Sequence, residues 1–145
     1  MFHKIKEVTP QPDFILNVRF TEGQRKTYDV KKLAKKHIVF ESLLKDEGLF
    51  NNVEVDAGGY GIVWNDDLDL SCDELWENGK KEKSPFDGLM ALGDATEMWG
   101  LNESTLRRAI MYGKFIQGMD VCKFGKQWVI SYDSMVREYG EPKAS

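Results

Sequence analysis

Between Leu92 and Ile110 the apolar positions follow a helical period. Ala95, Met98 and Trp99 stand at i, i+3, i+4, which predicts a short helix with one buried stripe. Gly100 is free to take positive φ, Leu101 is an apolar plug between two helices, and Asn102 is a suitable N-cap. A second helix is predicted from Glu103 to Tyr112, with Gly113 as its C′ residue. The pattern then changes to alternation. Val121–Phe124 and Gln127–Ile130 flank Gly125-Lys126, which predicts a β-hairpin. Ser131 caps a last helix over Tyr132–Tyr139, stopped by Gly140 and Pro142.

The first half reads differently. Phe14–Phe20 and Lys26–Val30 flank a Glu22-Gly23-Gln24 turn, and Asn52–Asp56 and Tyr60–Trp64 flank Ala57-Gly58-Gly59, so two hairpins are expected. Val30–Lys36 and Phe40–Lys45 are expected as helices with basic outer faces. Ser71-Cys72-Asp73-Glu74 is a capping box that opens a further short helix near Leu75. Gly79 to Pro85 is polar, charge-rich and without apolar periodicity, and it reads as a linker. The expected architecture is therefore α+β in two small domains. Residues 1–80 form an α+β domain built on β-hairpins, and residues 85–145 form a winged helix-turn-helix.

The helix from Glu103 carries the chemistry. Leu106, Ala109 and Ile110 share a stripe suited to burial, while Ser104, Arg108 and Met111 point away from it, flanked by Arg107, Thr105 and Tyr112. An arginine can grip guanine or a phosphate in two places, a small hydroxyl reaches phosphates or base edges, and an apolar side chain meets a thymine methyl. A helix-turn-helix sets such a face into the major groove. Lys123 and Lys126 lie at or near the hairpin tip, where they can reach the phosphate backbone. The expected contacts with double-stranded DNA are Ser104, Thr105, Arg107, Arg108, Met111, Tyr112, Lys123 and Lys126. Trp128 is expected in the core.

Two resemblances follow from these residues. Ala95, Gly100, Leu101, Ser104, Thr105, Leu106, Arg107, Gly113, Trp128, Val129 and Ile130 match a pattern that runs over about residues 88–140. It resembles excisionase-like and MerR-like small DNA-binding domains, which implies a winged helix-turn-helix and duplex binding. Over about residues 3–78, Phe20, Gly23, Tyr28, Asp29, Phe50, Val53, Trp64, Asp69, Leu70 and Leu75 resemble a family of small bacterial domains of unknown function. That likeness implies a fold and no activity.

Charge complicates the picture. The chain of 145 residues carries a formal net charge of −4, and DNA binding draws much of its affinity from phosphate neutralisation. Locally the balance reverses. Between residues 103 and 128, Arg107, Arg108, Lys114, Lys123 and Lys126 oppose only Glu103 and Asp120. A single copy would still bind weakly, so a homodimer is expected, held through the N-terminal domain, which can also receive a protein partner. No apolar run approaches the roughly 18 residues a membrane span needs, the first residues lack the apolar core of a secretory signal, and Cys72 and Cys122 have no metal spacing. A reduced, cytoplasmic bacterial regulator is expected.

No catalytic or metal-binding residue and no cofactor is expected. Asp66, Asp67 and Asp69 hold Mg²⁺ only if the backbone turns them together, and a solvated turn is the simpler reading. His3 and His37 stand beside no candidate nucleophile. Lys31, Lys32, Lys35 and Lys36 read as a solvated helix face, and Gly58-Gly59-Tyr60-Gly61 lacks the lysine and helix of a phosphate loop. The competing reading is an adaptor or antitoxin-like protein whose helical domain packs on a protein. A metal-dependent nuclease is a distant third.

Overall fold

Strand β2 (Ile15–Phe20) organises the N-terminal unit of the computed structural model, which describes residues 2–142. Leu16, Val18 and Phe20 face the core and are fully buried, while Ile15, Asn17 and Arg19 alternate with them. The strand pairs antiparallel with β1 (Ile5–Gln11) on one side and β3 (Arg25–Asp29) on the other. Gly23 turns β2 into β3 at φ 87°, the left-handed region a glycine enters without a Cβ clash. Asp29 then caps α1 (Val30–Lys36) by accepting from the Lys31 N–H at 2.9 Å. A 3-10 turn at Ile38–Phe40 leads into α2 (Glu41–Lys45) and α3 (Glu47–Asn51).

A second sheet, β4 (Glu54–Val55), β5 (Gly61–Asn65) and β6 (Leu68–Ser71), runs in that order. Its hairpin tip comes so close to β1 that a Cβ on Gly59 would lie 2.6 Å from the Ile5 carbonyl oxygen, while the Ile5 N–H donates to the Gly59 carbonyl at 2.7 Å. Ser71 accepts from the Glu74 N–H at 3.1 Å and starts α4 (Cys72–Asn78). Phe20, Tyr28, Phe50, Val53, Trp64, Leu70 and Leu75, which carry the N-terminal resemblance, are buried together in one core. The Trp64 indole N–H donates to the Phe50 carbonyl, which settles its one polar atom inside. Each such buried side chain contributes roughly 1.5–3 kcal/mol.

The stretch read as a linker is only partly one. Lys80–Lys81 form a short strand, β7, against Lys26 and Thr27 of β3, and the Glu82 N–H donates to the Arg25 carbonyl. Such an edge pairs through its backbone and needs no apolar side chain, so it leaves no period to read. Strand β1 escaped the sequence pattern for a similar reason: one side chain of seven, Ile5, is fully buried, and Pro10 suits an edge. Helix α3 and strand β6 are also additions to the expected elements.

Residues 86–142 form the second compact unit, with a separate core. Its sheet has the order β8 (Leu89–Ala91), β10 (Gln127–Ser131), β9 (Val121–Phe124), all antiparallel. Helices α5 (Leu92–Trp99), α6 (Glu103–Met111) and α7 (Tyr132–Tyr139) accompany it. Met90, Val121 and Ile130 face the core from the sheet, and Leu92, Ala95, Trp99, Leu106, Ile110 and Met135 face it from the helices. The protein is α+β, with a winged helix-turn-helix in its second unit. Strand β8 extends the expected two-stranded wing to three.

Candidate nucleic-acid interface

The turn between α5 and α6 is set by Gly100. It sits at φ 66°, ψ 36°, and the Leu101 N–H closes back on the Thr96 carbonyl at 2.9 Å. Leu101 is half-buried and packs on the core, which holds the two helices at their crossing. Trp99 is 4% exposed, and its indole N–H donates to the Gly140 carbonyl at 2.8 Å, tying α5 to the end of α7. Asn102 occupies the N-cap position of α6, but its side chain makes no capping hydrogen bond. Its backbone carbonyl accepts from the Thr105 N–H instead.

Helix α6 buries Leu106 and Ile110 and exposes Ser104, Arg107, Arg108 and Met111. Ala109 is half-buried against the same core. Thr105 is also half-buried, so it is less presented to solvent than its position on the helical wheel implies. Tyr112 is the C-cap and is 84% exposed. The helix closes with a Schellman motif: Lys114 N–H to Ala109 carbonyl at 2.9 Å and Gly113 N–H to Ile110 carbonyl at 3.2 Å, with Gly113 at φ 81°. Neither arginine is locked in place. Arg107 meets Glu103 at 3.5 Å in an exposed i, i+4 pair, worth about 0.3–0.5 kcal/mol. Arg108 donates to the Ser104 carbonyl at 3.4 Å, a long and exposed contact. Both guanidinium groups can exchange these contacts for a phosphate or a base at small cost.

Between α6 and the wing lies a knot that sequence spacing did not reveal. The Asp120 carboxylate is 8% exposed and accepts from Arg137 at 2.8 and 3.0 Å, from the Ser134 hydroxyl at 2.8 Å and from the Ile116 N–H at 2.8 Å. The Arg137 guanidinium, helped by the Ile116 N–H and the Ser134 hydroxyl, holds this carboxyl well below the usual carboxylate range. Asp120 therefore does not oppose the basic face in the way its place in the sequence suggests. Its charge is spent on α7, and the knot fixes the loop that carries β9 out to the wing.

Lys123 and Lys126 lie at the wing, whose two-residue turn has Gly125 at φ 62°. Lys123 is the cross-strand partner of Trp128 and holds its ammonium 5.5 Å from that ring's centre. Lys126 is exposed on the turn itself. Trp128 is half-buried and packs on the core, as expected. Lys114, counted with the basic set, stacks over Tyr139 at 4.6 Å.

In the N-terminal unit the acidic candidates stand on an exposed turn, and His3 and Lys31 find structural partners. Asp66 and Asp67 are exposed on the β5–β6 turn, where the Asn65 side chain accepts from the Asp67 and Leu68 N–H groups, and Asp69 stands on β6. Among the described residues, no group of three or more His, Cys, Asp or Glu is placed to hold a metal ion. His3 stacks on Trp76 at 3.6 Å and meets Glu22 at 3.0 Å. Lys31 pairs with Asp13 and Asp29.

Residues 5–81 match the family described as protein of unknown function (DUF2442), and residues 81–144 match a helix-turn-helix domain. No curated protein and no solved structure matches the chain. Among the described residues no helix is long and apolar enough to cross a membrane.

Proposed function

We propose that this chain, which belongs to the DUF2442 family of proteins of unknown function and carries a helix-turn-helix domain beyond it, is a cytoplasmic bacterial regulator of transcription that binds duplex DNA. The observation that carries the reading is the division of α6. Leu106 and Ile110 are buried on one side, and Ser104, Arg107, Arg108 and Met111 are exposed on the other. Thr105 and Tyr112 flank that face, and Lys123 and Lys126 add phosphate contacts from the wing. The reading assigns no reaction, metal or cofactor. Its test is a mobility shift of duplex DNA by the full chain across a salt series. Binding that weakens with salt supports it, and no shift at any salt refutes it.

The wing should add affinity without sequence preference, because a turn reaches phosphates more readily than base edges. Losing one phosphate contact lowers the slope of log K against log salt by about 1. Lys126→Ala is expected to show that change. Lys123→Ala is expected to show less, since its ammonium already rests on Trp128. Equal slopes for both variants and the native chain would remove the wing from the phosphate backbone.

A homodimer held through residues 1–80 completes the proposal. Two copies present twice the phosphate contacts on half-sites about one helical turn apart, which adds affinity that the few basic residues of one copy do not supply. The strand edges of that unit can pair across a two-fold axis. Sedimentation of the full chain is expected to give a dimer, and a monomer at micromolar concentration would end this part. One observation favours the adaptor reading instead. Met111, Tyr112, Ile116 and Met119 are all at least 61% exposed, an apolar surface that also suits a protein partner.

A further inference from the structure

We infer that Phe124 at the tip of the wing is an apolar wedge that enters the minor groove of duplex DNA and kinks it. This rests on the DNA-binding reading above and deepens it.

The geometry of the hairpin isolates this side chain. Val121 and Ile130 are cross-strand partners and both are buried, so they define the core face of the wing. Lys123 and Trp128, the next partners on that face, lie against each other. Phe124 pairs with Gln127 and stands on the opposite face, at the last position before the Gly125-Lys126 turn. It is 62% exposed and is not among the side chains packed on the core. The phenyl ring therefore stands in solvent beside the two-residue turn, next to the exposed Lys126.

The charge balance gives the wedge a purpose. A chain with net charge −4 gains less from counterion release than a basic protein does. Burying a phenyl ring against unstacked bases adds affinity that salt does not screen. Proteins that insert such wedges unstack a base step and bend the duplex by roughly 20–90°. Lys126 on the turn favours DNA over a second copy of the wing, because tip-to-tip packing would bring like charges together, whereas beside a minor groove it meets a phosphate.

The test uses the full chain and end-labelled duplexes containing flexible pyrimidine–purine steps, read by energy transfer between the ends and by mobility shift across a salt series. The native chain is expected to shorten the end-to-end distance. Phe124→Ser is expected to bind roughly tenfold more weakly with an unchanged salt slope, and to leave the duplex straight. Phe124→Leu is expected to keep the bend. A native complex with straight DNA, or a Phe124→Ser complex bent as much as the native one, overturns the wedge while leaving DNA binding intact. A Phe124→Ser change that alters sedimentation and not bending overturns it too, since the ring would then serve contact between copies. If the native chain shifts no duplex at all, the DNA reading itself falls and the wedge falls with it.

Discussion

Replacing Arg107 and Arg108 together by alanine is expected to lower affinity for duplex DNA by a hundredfold or more. An arginine that reads a base is worth about 1–3 kcal/mol, and both guanidinium groups stand on the outer face of α6. The fold should survive the change. Neither side chain packs in the core, and the ion pair lost, Arg107 to Glu103 at 3.5 Å, is exposed. Alanine also has the higher helix propensity. Circular dichroism and thermal unfolding are therefore expected to stay near native while the mobility shift disappears. A folded double variant that binds as tightly as the native chain would mean that α6 is not the reading helix, and the exposed apolar set around Met111 and Met119 would become the better guide.

Asp120→Ala is expected to cost about 3 kcal/mol of stability in the second unit, because it strips Arg137, Ser134 and the Ile116 N–H of a shared acceptor. The exposed half of Arg137 moderates the figure, since water can take over part of its solvation. Unfolding of residues 86–142 should shift to lower denaturant, while the N-terminal core, which shares none of these bonds, should not. DNA binding should weaken as well, since the knot holds the wing in place.

The same carboxylate makes the unit acid-sensitive. Its folded pKa lies below the ordinary Asp value, which is about 3.9. Its contribution is then fully present above pH 4 to 5 and is lost as pH falls toward the lower folded value. Denaturant midpoints measured from pH 6 down to pH 2 should show a steeper loss for the native unit than for Asp120→Asn. Parallel curves would show that Asp120 is not a source of the acid response.

Much of α6 and its setting was legible in the order of residues. The stripe of Leu106 and Ile110, the left-handed Gly100 and Gly113, and the serine caps at Ser71 and Ser131 all depend on neighbours within five positions. Helical period, positive φ and capping are local physics, so they are written locally. The hairpins of β2 with β3 and of β9 with β10 were legible for the same reason, because a turn and two alternating arms lie side by side in the chain.

The rest waited for the tertiary structure. Strands β1, β7 and β8 are held by backbone bonds to partners that sequence spacing does not name, and β7 reaches β3 across more than fifty residues. Asp120 reads as one more surface acid until Arg137, seventeen positions on, closes over it. Lys123 and Phe124 are adjacent in the chain, yet one folds onto Trp128 and the other projects into solvent, a choice made by the face of the sheet that meets the core. The sequence by itself determined the helices α1, α5, α6 and α7 and the hairpins of β2 with β3, β4 with β5 and β9 with β10. It also determined the outward position of Ser104, Arg107, Arg108 and Met111 on α6, though not the half-burial of Thr105. Which edges are covered, which acid is neutralised and which wing residue is left exposed depend on what lies opposite in space, and only the assembled sheets and helices decided that.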